Sequence, residues 1–362
     1  WLLDAFYETG NNAYLHRIDL DLRDWLTASR GSANPRGFGP GRLEAALRMP
    51  TWRRVFFSLA DEKTFRPATR LLLLAGLPTH ARYLQKSLKP CHNFATMQMC
   101  GLGTIGLRFP EFKDASKWTS FAMKQMTSEI DDQVYPDGAQ KELTSSYHWV
   151  ALRSFDALAG EVERAGRKIP GPYSKTLEKM YDYMAGSIRP DGACPLNNDS
   201  DRDDRYSLLA SAAPRFKRSD WTWIISGEKS GQRPAAPPSR FYPWAGHLIS
   251  RNGWNRKAHW SFFDVGPWGI SHQHNDKLHL SIHAFGRDLL TDSGRFGYQG
   301  EIGERFLRSY ARHSRAHNVM LIDGAGQQDC KPETGSPHTD YEIAADYDFA
   351  FGTYRPDPSK KP

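Results

Sequence analysis

The sequence has few cysteines and no long apolar run, and each shortage excludes a class of protein. The cysteines are widely spaced and form no CxxC pair, which excludes a disulfide-rich scaffold and a thiolate zinc site. The apolar run "RLLLLAGL" at 70–77 is far shorter than the roughly 18 residues that a membrane-spanning helix needs. The sequence therefore predicts neither a membrane span nor a signal peptide within the chain.

The chain also lacks a concentrated basic segment, although basic residues outnumber acidic ones. Lys and Arg total 48 against 41 Asp and Glu, which gives a formal net charge of +7. A positive balance favours an anionic partner such as an acidic polymer. Because no run of five or six basic residues and no recognised motif occurs, we do not expect a nucleic-acid partner.

Length and composition indicate a multidomain globular protein. The 362 residues are enough for two domains, and the 39% hydrophobic and 25% charged fractions are ordinary for such a protein. Aromatic residues make up 12% of the chain, which suits either carbohydrate-stacking surfaces or well-filled cores. The chain begins at Trp1 within a helical pattern and ends at Pro362 soon after a predicted strand, so we expect the sequence to be truncated at both ends.

Two regions of different periodicity divide the sequence. Helical spacing of apolar residues recurs at 42–62, 64–88, 93–110, 112–134, 146–166 and 172–189. Proline and glycine residues, among them Pro78, are predicted to separate the helices. After a Pro-rich segment, alternating runs predict strands at 246–254, 258–266, 277–286, 287–294, 316–324 and 340–354. We therefore expect a helical domain at 1–229, a linker at 230–244 and a β-sandwich at 245–362. Short loops between successive helices favour antiparallel hairpins in a bundle or toroid.

Four histidines fall within the twelve residues from 272 to 283. In "ISHQHND", His272 and His274 lie two apart, which on a strand places both on one face. The next run predicts a core face of leucine and isoleucine and an opposite polar face that includes His279 and His283. Since imidazole and carboxylate suit zinc, the histidine pair could converge on one ion with Asp292 and His317 at other strand ends. On spacing alone, separate polar strand-edge residues are the simpler interpretation.

A second group of chemically capable residues lies in the helical half. His92 and Asn93 follow Pro90 at a predicted helix start, and Tyr147 and His148 stand at another. A tyrosine–histidine pair beside an amide suits the abstraction of a carbon-bound proton, because the amide stabilises the charge that develops. Spacing alone equally fits an asparagine that caps a helix and a half-buried tyrosine.

Taken together, these segments resemble the heparinase II/III-like superfamily of polysaccharide lyases. The resemblance rests on "FPEFKDA", "YPDGAQKELTSSYH", "GPWGISHQHND", "LLTDSG" and "RAHN", and it covers most of residues 40–325. It implies an incomplete (α/α) toroid followed by an antiparallel β-sandwich. It also implies β-elimination on a uronic-acid polymer, with a glycosaminoglycan such as heparan sulfate favoured and alginate or oligoalginate as the alternative.

The resemblance also implies roles for individual residues. Asn93 matches the amide that neutralises the substrate carboxylate, Tyr147 the tyrosine acid, and His272 a histidine that reaches the cleft. The weaker catalytic candidates are His92 and His148, and the substrate-binding candidates are Arg202, Tyr298 and Tyr310. The family's zinc ligands match His274, Asp292 and His317, and we expect this zinc to be mainly structural.

Three other functions compete with a lyase. A metal-dependent hydrolase would use zinc-bound water, but no HExxH-type motif supports it. A non-catalytic protein that binds acidic glycans would keep the fold without cleavage. A nucleic-acid binder is allowed by charge alone. By family resemblance we expect a secreted or periplasmic protein, and the sequence predicts no particular oligomeric state.

Overall fold

The structure is a computed structural model, and it describes residues 1–29, 41–298, 300–333 and 336–356. Helices precede strands along the chain, as the periodicity predicts. The helices within the described residues are α1 (Leu2–Thr9), α2 (Asn12–Ala28), α3 (Arg42–Ser58), α4 (Pro67–Lys86), α5 (Asn93–Arg108), α6 (Ala115–Gln133), α7 (Ser145–Arg164), α8 (Gly171–Ser187), α9 (Tyr206–Phe216), α10 (Ser219–Ser226) and α11 (Ile302–Ala311), with a 3₁₀ turn η1 (Ser314–Ala316).

The six helices predicted from apolar spacing correspond to α3–α8, each within a few residues. The expectation that Pro78 punctuates two helices is wrong, because Pro78 lies inside α4, as Pro50 lies inside α3. A proline removes one backbone donor and can be accommodated within a helix whose packing outweighs that loss. The pattern also missed α11, which lies in the half predicted to be β.

The strands form one five-stranded antiparallel sheet and one hairpin. The sheet has the order β1 (Arg240–Tyr242), β2 (His247–Arg251), β3 (Trp260–Asp264), β4 (Leu280–Ala284) and β5 (Arg287–Leu290), and the hairpin joins β6 (Tyr341–Ile343) to β7 (Asp348–Ala350). Consecutive strands pair throughout, with a register shift between Ile282 and His283. Strand β1 begins inside the segment predicted as a linker, and the domain boundaries themselves stay predictions.

One strand prediction is wrong, and the strand on which His272 and His274 would share a face does not form. Residues 316–324 form no strand beyond an isolated bridge between Ile322 and Ala325. The stretch that holds His272 and His274 is also irregular, and His272 has a left-handed backbone with φ of 62°. Polar side chains here bond to backbone groups of other loops, which offers the chain an alternative to strand pairing.

The two faces of β4 are the reverse of the prediction. His279, Ser281 and His283 are buried, at 1%, 4% and 5% exposure, whereas Leu280 and Ile282 are only partly buried. Alternation shows which residues share a face but not which face meets the core. The buried polar face is tolerated because its groups are hydrogen-bonded. For example, His279 bonds Ser281 Oγ at 2.7 Å and His283 bonds Asp288 at 2.8 Å.

The chain divides into two compact units. The first comprises Trp1–Asp132 and Arg153–Tyr173, and the second Gln133–Leu152 and Ser174–Pro362. In the first unit, Leu15, Leu59 and Phe65 are fully buried in one apolar cluster. The buried carboxylate of Glu161 there accepts bonds from the guanidinium groups of Arg53, Arg108 and Arg164.

The core of the second unit lies beneath the first strands of the sheet. Trp260, Phe262 and Ile249 are fully buried with Tyr183 and Tyr242 beside them. Between β1 and β2, Gly246 has φ of 66°, and a Cβ there would collide with the backbone of Gly266. Glycine therefore permits the close approach of the loops that follow β1 and β3.

Among the described residues, no helix combines the length and the apolar character that crossing a membrane requires.

Candidate active site and metal centre

Three loops of the second unit are held together by side-chain amides. Asn197 and Asn198 donate to the carbonyl of Leu143 at 2.8 and 3.0 Å, and Asn198 accepts from the backbone of His274 at 2.7 Å. Gln273 donates to the carbonyl of Glu142 at 2.6 Å. These bonds fix the loops around residues 142, 198 and 273 against one another, so the side chains that they carry have defined positions.

Tyr147 and His272 form a stacked pair. Their ring centroids are 3.6 Å apart with an interplanar angle of 11°. Tyr147 lies in the first turn of α7, and His272 lies in the left-handed bend that follows Ser271. The helix start and the left-handed loop thus place a phenol and an imidazole side by side.

A third ring, that of Tyr298, completes this group. The Tyr298 hydroxyl is 2.6 Å from the Tyr147 hydroxyl, 3.2 Å from His272 Nδ1 and 2.8 Å from Asp199 Oδ2. An ionised carboxylate can only accept, so the Tyr298 hydroxyl donates to Asp199 and accepts a hydrogen bond from the Tyr147 hydroxyl. The hydrogen bonds therefore run in one direction, from Tyr147 through Tyr298 to Asp199.

Cationic groups surround Tyr298. The guanidinium of Arg308 lies 4.0 Å from the ring centroid and that of Arg295 lies 4.8 Å from it. Arg308 donates to both oxygens of Asp199 at 3.1 and 2.8 Å, and Arg295 pairs with Asp201. Sequence reasoning missed both arginines, and Arg308 lies in α11, which was read as part of a β region.

Two carboxylates flank His272. Its Nδ1 is 3.0 Å from Asp199 Oδ2, and its Nε2 is 3.4 Å from Glu142 Oε2. Both acids are almost fully buried, at 1% and 0% exposure. Neither was predicted as a site residue. The acidic segment "NNDSDRDDR" around Asp199 could have indicated a functional site. Only the fold shows which of its aspartates lies beside His272.

Burial raises the pKa of the Tyr147 phenol, and the hydrogen bond with Tyr298 only partly offsets this effect. Tyr147 therefore holds its proton at neutral pH. Burial raises the pKa of the Asp199 carboxyl, but the hydrogen bonds that this carboxylate accepts lower it by more. The pKa of Asp199 therefore lies well below its usual range. The Tyr298 hydroxyl thus connects the neutral phenol of Tyr147 to the ionised carboxylate of Asp199.

The three predicted metal ligands come together. His274, Asp292 and His317 each offer one ligand atom, and these atoms all lie within 4.8 Å of one another. His317 Nδ1 is 3.2 Å from Asp292 Oδ2. All three residues are buried, at 1%, 3% and 9% exposure, in loops rather than in paired strands.

The donor set fits a divalent metal ion. His274 Nε2 lies 3.0 Å from Asp199 Oδ1, while its Nδ1 is buried without a hydrogen-bond partner among the described residues. An imidazole that donates one N–H to a carboxylate and leaves its other nitrogen open is the usual arrangement of a metal-binding histidine. The arrangement is compatible with a metal and leaves the identity of the ion open.

His279 supports this centre, although the sequence predicted only a polar strand-face residue. Its Nδ1 accepts from the backbone of Asn318 at 3.2 Å, so the proton is on Nε2. That nitrogen lies 2.7 Å from Ser281 Oγ and 3.4 Å from Asp292 Oδ2. His279 therefore presents an N–H toward a carboxylate that the metal would bind.

The other predicted residues of the second unit have different surroundings. His148 is buried, and its ring bonds the carbonyl of Met180 at 3.0 Å and the backbone N–H of Gln140 at 3.3 Å. Arg202 pairs with Asp191 and Asp288 at 2.5 and 2.9 Å. The Tyr310 hydroxyl donates to the carbonyl of Arg315 at 3.2 Å. None of these contacts joins the Tyr147–His272 pair, and the predicted roles of His148, Arg202 and Tyr310 stay predictions.

His92 and Asn93 belong to the first unit. His92 is the N-cap of α5, and its Nδ1 accepts from the backbone of Phe94 at 3.3 Å. Asn93 is the first residue of that helix and is fully buried. The simpler interpretation, in which Asn93 caps the helix, is therefore wrong, because the cap is the preceding histidine.

Comparison with known families agrees with this arrangement. The family model "Heparinase II/III N-terminus" matches residues 2–219, and "Heparinase II/III-like, C-terminal" matches residues 234–341. The chain belongs to the heparinase II/III family. The resemblance predicted from the motifs is therefore confirmed.

Individual relatives are distant in sequence. The heparin-sulfate lyase of Pedobacter heparinus is 26% identical over 332 residues, which cover 88% of this chain and 50% of the relative. The heparin-sulfate lyase of Bacteroides stercoris is 25% identical over 287 residues, which cover 78% of this chain and 43% of the relative. This chain spans about half the length of the curated relatives that it matches.

Solved structures of the family have the same fold. A heparan sulfate lyase mutant from Pedobacter heparinus matches with a TM-score of 0.74 at 25% identity, covering 95% of this chain and 55% of that one. The structure of heparinase III matches with a TM-score of 0.82 at 19% identity, with 95% and 56% coverage. The predicted fold class, an (α/α) toroid followed by an antiparallel β-sandwich, is confirmed.

Proposed function

We propose that this protein is a polysaccharide lyase that cleaves a uronic-acid-containing polysaccharide by β-elimination and leaves a 4,5-unsaturated uronate. The observation that carries the proposal is the stacked pair of Tyr147 and His272, with the phenol bonded to Tyr298. Elimination needs a base for the C5 proton and an acid for the leaving oxygen at C4. A phenol and an imidazole in contact can supply both.

In the proposed reaction His272 removes the C5 proton and Tyr147 protonates the glycosidic oxygen. The electron pair of the C5–H bond forms the C4–C5 double bond as the C4–O bond breaks. Since burial raises the pKa of Tyr147, the phenol is in the protonated form that an acid requires. The substrate oxygen would replace Tyr298 as the acceptor of this proton.

The amide of Asn93 is proposed to bind the uronate carboxylate and to make the C5 proton more acidic. Its support is the match to the family motif "HNF" and its fixed position at the first residue of α5. His92 and His148 have ring nitrogens engaged with backbone groups, so we give neither a proton-transfer role.

We propose that the metal held by His274, Asp292 and His317 is zinc. Two imidazoles and one carboxylate are a common zinc set, and softer or harder ions prefer thiolates or more oxygen ligands. When bound, zinc would tie together the loops that carry its ligands and act mainly as a structural ion. Metal analysis of the purified protein by mass spectrometry tests its identity.

The substrate favoured is a sulfated glycosaminoglycan of the heparan type. A pocket of about 330 Å³ in the second unit is lined by Arg305, Arg308, Arg312 and His313, with Asp329 as the acidic member. Such a surface suits a polymer that carries sulfates as well as carboxylates. The named relatives act on heparin sulfate, which supports the same preference. Because such polymers are extracellular, we also propose that the protein is secreted or periplasmic.

Two alternatives remain as outcomes of the test. An alginate or oligoalginate lyase would use the same residues on an unsulfated polyuronate. A non-catalytic glycan-binding protein would bind without cleavage, but it has no need for a stacked acid–base pair.

The test is the ultraviolet absorbance of the unsaturated uronate during incubation with heparan sulfate, heparin, chondroitin sulfate, hyaluronan and alginate. We expect absorbance to rise with heparan sulfate and not after Tyr147→Phe. A rise with alginate alone would overturn the substrate preference. Binding of every polymer without any rise would overturn the lyase.

A further inference from the structure

Asp199 forms hydrogen bonds with four other side chains of the second unit, those of His272, His274, Tyr298 and Arg308. It is 1% exposed, and both carboxylate oxygens are bonded. Oδ2 accepts from His272 at 3.0 Å and from Tyr298 at 2.8 Å, while Oδ1 accepts from His274 at 3.0 Å. One carboxylate thus touches a candidate metal ligand on one side and the acid–base group on the other.

These contacts fix the protonation pattern of two imidazoles. A carboxylate accepts but does not donate, so His272 carries its proton on Nδ1 and His274 carries one on Nε2. His274 Nδ1 is then the nitrogen available to a metal. His272 Nε2, which lies 3.4 Å from Glu142 Oε2, is the nitrogen left to accept a proton from substrate. Without the charge of Asp199, each ring could adopt the other tautomer or turn away.

We propose that Asp199 is a positioning residue that couples the metal centre to the acid–base pair. It holds His274 in the form that binds a metal and holds His272 and Tyr298 in the form that transfers protons. This inference rests on the proposed lyase function only for its kinetic consequence. Its consequence for metal binding is independent of the reaction.

A purely structural role makes a different prediction. Arg308 binds Asp199 through two bonds, at 3.1 and 2.8 Å, and this ion pair alone could explain a buried aspartate. In that case substitution would lower the melting temperature and leave metal affinity and kcat unchanged in the folded fraction. The two histidine contacts are what a coupling role requires in addition.

The experiment compares Asp199→Asn with Asp203→Asn, a matched change at an aspartate four positions away that pairs with Arg205. Zinc affinity is measured by competition with a chromophoric chelator, and kcat and KM are measured at saturating zinc. We expect Asp199→Asn to weaken zinc binding on the order of 10- to 100-fold. We also expect it to lower kcat by about tenfold or more with KM little changed. Asp203→Asn should behave as the parent protein.

A second variant keeps the test decisive if Asp199→Asn does not fold. His272→Gln removes one donor from Asp199 without touching a metal ligand, and its side chain is partly exposed. Coupling through the carboxylate predicts that zinc affinity changes by about threefold or more. Unchanged zinc affinity in both variants overturns the inference. Loss of zinc affinity in a protein that cleaves no polymer would overturn the lyase proposal and support the coupling to His274.

Discussion

The ring of Tyr147 lies directly against the ring of His272, with centroids 3.6 Å apart. Tyr147 stands at the start of a helix and His272 in a loop 125 positions later in the numbering, so neither local segment specifies the contact. A substrate atom that reaches one ring is within reach of the other. The first prediction follows from this proximity.

Tyr147→Phe keeps the stacked ring and removes only the hydroxyl. We expect kcat to fall by roughly 100- to 10,000-fold, because general acid catalysis contributes about that much. The free energy of unfolding should change little. Steady-state absorbance and denaturant unfolding check both. Tyr347→Phe, at an exposed tyrosine of the second unit, serves as the control. A fully active Tyr147→Phe protein would contradict the assignment of the acid.

Asn93→Ala removes the amide proposed to bind the uronate carboxylate. We expect the loss of about 2.7–4 kcal/mol of transition-state stabilisation, as for other preorganised oxyanion donors. The readout is kcat/KM on the polymer that the wild type cleaves. Asn12→Ala, at the equivalent first position of α2, should leave kcat/KM unchanged. An equal loss in both variants would point to a folding defect.

Asp292→Asn removes the only carboxylate among the three metal ligands. The wild-type protein should lose thermal stability when a chelator removes the ion, because a ligand at about 100 times its Kd adds about 2.7 kcal/mol. The variant should start at the lower melting temperature and show no further change with chelator. Differential scanning calorimetry with and without chelator checks this. A chelator response that survives Asp292→Asn would place the ion elsewhere.

Arg305 and Arg312 contribute charge to the cationic pocket of the second unit. Changing both to Gln should raise KM for heparan sulfate by about fivefold, which corresponds to about 1 kcal/mol, with kcat retained. The difference should shrink as ionic strength rises, because salt screens exposed charges. Arg82→Gln with Arg167→Gln, two exposed arginines of the first unit, is the matched control. Equal effects from both pairs would indicate net charge alone.

His148 makes stability depend on pH. Burial lowers its pKa to about 4, from an ordinary value of 6.5. Below about pH 6.5 the unfolded chain takes up a proton on this residue that the folded chain does not. The free energy of unfolding is therefore unaffected by His148 above pH 6.5, and it falls steadily as the pH drops from 6.5 to about 4. The loss should reach about 3 kcal/mol.

Urea unfolding at several pH values from 7 to 4 measures this dependence. His148→Gln should show a shallower decline over the same range, and the difference between the two curves isolates His148 from the other histidines. Parallel curves would show that His148 does not carry the effect.

Much of the helical half could be predicted, because helical periodicity is a local property. Helices α3 to α8 match the apolar spacing within a few residues. The β half was harder, since short apolar runs depend on partners elsewhere. Alternation in β4 correctly grouped His279 with His283 but assigned the wrong face to the core. Only the sheet's packing against other groups decides which face is buried.

Some site residues carried a sequence signal and others did not. His274, Asp292 and His317 stood out through the family motifs, and they come together as predicted. Asp199 is one of several aspartates in one loop, and nothing in the amino-acid sequence distinguishes it from Asp201 or Asp203. Arg308 lay in an unpredicted helix.

The sequence by itself determined the order of helices and strands, the family, and the chemical types available for catalysis and metal binding. The tertiary structure alone decided which of these groups share hydrogen bonds. Asp199 and His272 are separated by 73 positions, and their contact exists because Asn197, Asn198 and Gln273 tie three loops together. A contact of this kind depends on loop closure and on buried polar groups finding partners, and neither is written in local sequence.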